Sequence, residues 1–110
     1  MTLFTVPSKD TTETIPVVFP FAGKLQFGET LSAATMSVTL MSGTDANPSA
    51  MLSGSPTVSS PNVTQSITGG IAGNVYVVIC ACTTSVSHTY SMECRVAVIT
   101  PGGLFNVGGL

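Results

Sequence analysis

His88 is the chain's single histidine, and Ser85, Ser87 and Ser91 lie close to it. A histidine among serines is raw material for nucleophilic hydrolysis, which needs a nucleophile, a base and a group that orients the base. The only acid near it in sequence is Glu93, so the constellation lacks a clear third member. Cys80, Cys82 and Cys94 with His88 are a zinc set by residue type. Their spacing is not, because structural zinc sites place ligand pairs about two to four residues apart on tight knuckles. These cysteines stand where apolar strand residues would stand, and free cysteine packs as a small hydrophobe. Gly69-Gly70 with Gly73 is no phosphate loop, since no strand-to-helix passage follows. Asn62-Val63-Thr64 fits the glycosylation pattern, but nothing else points to secretion. The sequence therefore predicts no catalytic, metal or cofactor site and no enzyme.

The elements that carry these residues read as strands. Gly, Pro, Ser and Thr interrupt every window long enough for a helical period. Glu13 to Phe21 is apolar and β-branched but holds Pro16 and Pro20, which predicts an edge strand. Thr35 to Leu40 alternates strictly, with Met36, Val38 and Leu40 on one face. Ala50 to Ser59 and Val63 to Thr68 are weaker strands around a Ser60-Pro61-Asn62 turn. Val75 to Cys82 is apolar on both faces, which predicts a central strand covered on both sides. Ser91 to Ile99 alternates again, with Met92, Cys94, Val96 and Val98 opposite Glu93, Arg95 and Ala97. Thr83 to Tyr90 joins these last two as a hairpin. Together they predict an all-β fold, an immunoglobulin-like antiparallel β-sandwich of about seven strands, spanning residues 1–100. Tyr76 sits where the tyrosine corner of such a fold would sit, and a plain core aromatic fits there equally.

Residues 101–110, Pro-Gly-Gly-Leu-Phe-Asn-Val-Gly-Gly-Leu, form a Gly-rich apolar C-terminal arm beyond the last strand. Leu104, Phe105, Val107 and Leu110 are candidate contacts with a neighbouring subunit; folding back onto their own domain is the alternative.

The 110 residues suit one domain. Charged residues make up 7%, against about 25% in an average soluble domain. None of Asp, Glu, Lys or Arg occurs from Ala46 to Met92. So few charges give little protection against self-association, which suits a surface covered by partners. Three basic residues make no phosphate-neutralising patch, which argues against nucleic acid. No run is long and apolar enough for a membrane-spanning helix. An odd cysteine count, and an N-terminus without signal-peptide character, predict a reducing cytosolic setting.

Several segments, in order, resemble small tailed-phage virion proteins described as fibre–tail adaptors. They are Lys9-Asp10, the run Leu25-Gln26-Phe27-Gly28-Glu29-Thr30-Leu31, the alternating strand from Thr35 to Leu40, and Gly69-Gly70-Ile71-Ala72-Gly73-Asn74-Val75-Tyr76. The resemblance spans about residues 9 to 99. The chain departs from the pattern at Val17 and Pro20, where an aromatic and an aspartate are usual, and at Met36, where a tryptophan is usual. The resemblance implies a structural virion protein, assembled in the host cytoplasm. It would join tail fibres to the tail or portal region, in several copies set in a ring. A capsid decoration protein is the alternative, and a carbohydrate- or receptor-binding module a more distant one.

Overall fold

Apolar and polar residues alternate along most of the strands, and each strand turns its apolar set toward one shared layer. The computed structural model describes residues 8–100, and residues 2–5 in their backbone pairing. Among these residues there are eight strands: β1 (Thr2–Thr5), β2 (Lys9–Asp10), β3 (Thr14–Pro20), β4 (Leu31–Ser42), β5 (Leu52–Ser59), β6 (Asn62–Thr68), β7 (Val75–Thr84) and β8 (Thr89–Ile99), with one short 3-10 helix at Pro48–Met51. One sheet runs β4-β7-β8, with β1 and β2 both added to the far side of β8; the other runs β3-β6-β5. The two sheets pack as a sandwich. In chain order, β3 to β8 divide between the sheets as strands B to G of an immunoglobulin constant-type domain do.

β1 and β2 run parallel to β8, Thr2 opposite Met92 and Lys9 opposite Val98. They act as one interrupted N-terminal strand, so the sandwich has seven strand positions. Six reversals separate the first position from the last and restore its direction. The otherwise antiparallel sandwich therefore closes on a parallel pair.

The core is the inner face of both sheets. Val17 and Phe19 of β3 and Val63 and Ile67 of β6 meet Val38, Tyr76, Val78, Cys80, Cys94, Val96 and Val98. Burying each large apolar side chain is worth about 1.5–3 kcal/mol. β3 lies at a sheet edge, as its prolines predict, and shows Pro16, Val18 and Pro20 to solvent. β7 is central in its sheet, and its core face is covered. On its outer face Val77 is buried, while Val75, Ile79 and Ala81 stay part-exposed, because no further layer of the described chain lies over them. The expectation of cover on both faces is corrected at these three positions.

Lys9 is completely buried. Its Nζ donates to the carbonyls of Asp10 and Gly69, each at 2.7 Å, tying β2 to the corner between β6 and β7. Burial lowers its pKa, against the opposing pull of Asp10 and Glu13. Gly70 in that corner has φ +92°, and a Cβ there would lie 2.9 Å from a Val98 methyl. Only glycine meets both demands.

Candidate functional site

One end of the sandwich is built from the connection between β3 and β4 and the hairpin between β7 and β8. The first ends in a tight turn: the N–H of Glu29 donates to the carbonyl of Gln26 at 3.0 Å. Gly28, third in this turn, has φ +80°, which a type II turn demands and glycine supplies. Phe27, second in the turn, is thrown fully into solvent. The hairpin presents Val86 about half exposed beyond Thr84.

Glu29 holds the two connections together. Its Oε1 accepts from the N–H of Gln26 at 2.8 Å, and its Oε2 accepts from the Thr84 hydroxyl at 2.6 Å. Nδ1 of His88 lies 2.9 Å from the same Oε2, and the Tyr90 hydroxyl reaches both oxygens at 3.3 and 3.5 Å. The backbone adds Ser85 N–H to Thr30 O at 2.9 Å and Thr30 N–H to Ser85 Oγ at 3.1 Å. Glu29 is buried, yet its carboxyl is held below the usual carboxylate range. The Gln26 N–H is the largest cause, followed by the Thr84 hydroxyl, and His88 adds to them against the cost of burial. The phenol of Tyr90 is pushed up by burial and by the Glu29 charge.

His88 is 45% exposed at its side chain. Its ring hydrogen-bonds Glu29 and Tyr90, and not Ser85, Ser87 or Ser91, among the described residues. Glu93, the acid nearest in sequence, instead pairs across the sheet with Ile79. The acid that matters is 59 positions away, and no local spacing could reveal it. Chemically the arrangement is a clamp: it spends its polar groups on each other and fixes a loop whose tip is apolar.

Cys80, Cys82 and Cys94 are thiols buried in the core, and none of them forms a disulfide among the described residues. Burial, with a smaller contribution from Cys82, pushes the Cys80 thiol up to about 12. Burial raises Cys82 as well. At the opposite end, the Tyr76 hydroxyl donates to Asp45 Oδ2 at 2.7 Å and accepts from the N–H of Ile71 at 3.0 Å and from Asn74 Nδ2 at 3.3 Å. The bond back to Ile71, five residues upstream, is the tyrosine-corner contact. Burial and the Asp45 carboxylate raise this phenol.

The candidate contacts Leu104, Phe105, Val107 and Leu110 lie outside the described residues. Reading by strand pattern passed over Phe27. Its signal is an aromatic directly before glycine in a turn between two strands, where no layer exists to bury it.

A family model described as podophage GP4 fiber-tail adaptor protein gp77 matches residues 9–97 of the chain. No curated protein matches it.

Proposed function

Because this chain belongs to the podophage fiber-tail adaptor family, we propose that it is a structural protein of a tailed bacteriophage that joins tail fibres to the tail or portal region through protein–protein contacts. The family match over residues 9–97 carries the reading. Phe27 supports it: a fully exposed aromatic on a loop fixed by buried hydrogen bonds is a preorganised anchor, and little ordering entropy is lost when it is buried. The scarcity of charge supports it too, since a surface due to be covered needs few charges.

In this reading several copies assemble in the host cytoplasm and form a ring at the tail. Residues 1–100 make the sandwich, and the arm of residues 101–110 contacts a neighbouring subunit through Leu104, Phe105, Val107 and Leu110. The chain performs no catalysis and needs neither metal nor cofactor.

The test is capture of defined partners. The purified chain is mixed separately with the fibre protein, with the tail and portal proteins, and with empty heads of the same phage. Binding to both the fibre and the tail or portal supports an adaptor. Binding to heads alone makes it a decoration protein instead, and binding to none of them removes the reading.

A further inference from the structure

β4 ends its sheet, and its outer edge pairs with nothing among the described residues. Natural sandwiches guard such edges with proline, charge or bulges, because open backbone groups recruit another strand. The two edges of the smaller sheet are guarded: β3 by Pro16 and Pro20, β5 by Pro56 and the irregular register between Ser53 and Thr57. β4 has no proline and no charged residue over its 12 residues. Its bulges fall only at its ends, between Leu31 and Ala33 and between Leu40 and Ser42, which leaves Ala33 to Leu40 regular. The side chains beside this edge are also incompletely covered. Ala34, Met36 and Leu40 of β4 and Leu52 and Val58 of β5 pack on the core but stay part-buried.

We propose that residues 104–107 of a neighbouring copy add as an extended strand to the free edge of β4 and lay Phe105 and Val107 along the face that holds Met36, Val38 and Leu40. The inference rests on the reading of the arm as a contact segment and supplies its receptor. Three observations select this occupant. Residues 101–110 have no charged side chain, matching an edge with no ion to pair one. Phe105 and Val107 share the parity that places alternate side chains on one face. The distance disfavours the chain's own arm. From β8 to a position outside β4 is three strand spacings, about 14 Å laterally, and the four steps from Thr100 to Leu104 span at most about 14 Å when fully stretched. The own arm would have no residue left for its turn, whereas a neighbour's arm has no such limit.

The experiment mixes two variants that each carry one added cysteine, Thr39→Cys in one copy and Asn106→Cys in a second copy that carries a larger tag. Thr39 is exposed, and the native thiols are buried, so only the introduced pair reacts under mild oxidation. The expected result is a disulfide-linked band of mixed mass. Amides from Ala33 to Leu40 should also exchange about tenfold faster once residues 102–110 are deleted. Absence of the mixed band overturns the proposal. A disulfide formed only within one chain of the double variant, Thr39→Cys with Asn106→Cys, overturns it as well and assigns the arm to its own β4. Failure of the adaptor reading looks different: the mixed band forms, but neither fibre nor tail proteins are captured.

Discussion

Nδ1 of His88 lies 2.9 Å from Oε2 of the buried Glu29, which makes the lone histidine of the chain a structural strut between two connections. The same carboxylate takes hydrogen bonds from Gln26 and Thr84, so its charge is what the clamp is organised around. Removing that charge should loosen the end of the sandwich without touching the core.

The pH dependence follows from the sign of the shift. The folded carboxyl of Glu29 titrates below its ordinary value of 4.5. Its stabilising contribution is therefore complete above about pH 4.5 and is lost as pH falls through the lower folded value. Glu29→Gln should be less stable than the parent at pH 7, and the gap in Tm should narrow as the pH drops from 5 to 3. A gap that stays constant to pH 3 would show that the carboxylate charge does not hold the clamp.

The thiols set the opposite limit. An unfolded thiol ionises near 9.0, whereas folded Cys80 holds its proton to about 12. Below pH 9 both states keep the proton and nothing changes. Between about pH 9 and 12 only the unfolded state gives it up, so stability falls progressively, by on the order of 4 kcal/mol if the whole window is crossed. Cys82, Tyr76 and Tyr90 shift the same way. Buried Lys9 shifts downward and opposes them. Urea midpoints should drop steeply above pH 9. Iodoacetamide should leave the native protein unmodified at pH 8 and label three thiols in denaturant. Labelling of Cys80 in the native state would contradict its burial.

Much of the fold was legible because strand signals are local. The alternation at Met92, Cys94, Val96 and Val98 reports the core face directly, and all four are buried. Pro16 and Pro20 announced an edge strand, while at Tyr76 the sequence left a corner and a plain core aromatic equally open. The site was less legible because its contacts are not local. Glu29 reaches His88 across 59 positions, and the carbonyl that Lys9 meets at Gly69 is 60 positions away. The parallel pairing of β1 and β2 with β8 follows from counting reversals, not from any local pattern.

The hydroxyl of Tyr76 gives a further check. Tyr76→Phe keeps the ring in the core but leaves the Ile71 N–H and Asp45 Oδ2 without their partner. Leaving buried polar groups unpaired costs about 1–3 kcal/mol, and these two are part-buried, so the cost falls at the low end. The variant should lose about 1 kcal/mol in urea unfolding, with an unchanged slope. A loss below about 0.5 kcal/mol would mean that water replaces the hydroxyl and that the corner adds little.

Phe27 separates stability from function. Its side chain is fully exposed, so Phe27→Ala removes no packing, and its Tm should match the parent. The backbone that presents it, with φ +80° at Gly28 and the Gln26–Glu29 turn, does not depend on the ring. Partner binding should suffer if the turn is an anchor: truncating a central aromatic contact typically costs about 2 kcal/mol or more, a loss of about thirtyfold in affinity. Gly28→Ala should do the converse, keeping the ring while straining the turn by about 1 kcal/mol. It should weaken both stability and binding, each by less than Phe27→Ala weakens binding. The measurement is titration of each variant against the fibre and the tail or portal proteins, alongside thermal melts. If Phe27→Ala binds both partners as tightly as the parent, the apolar tip is not a contact and the docking surface lies elsewhere on the sandwich. If it binds one partner normally and loses the other, the tip belongs to a single side of the bridge, and β4 and the arm remain for contacts between copies.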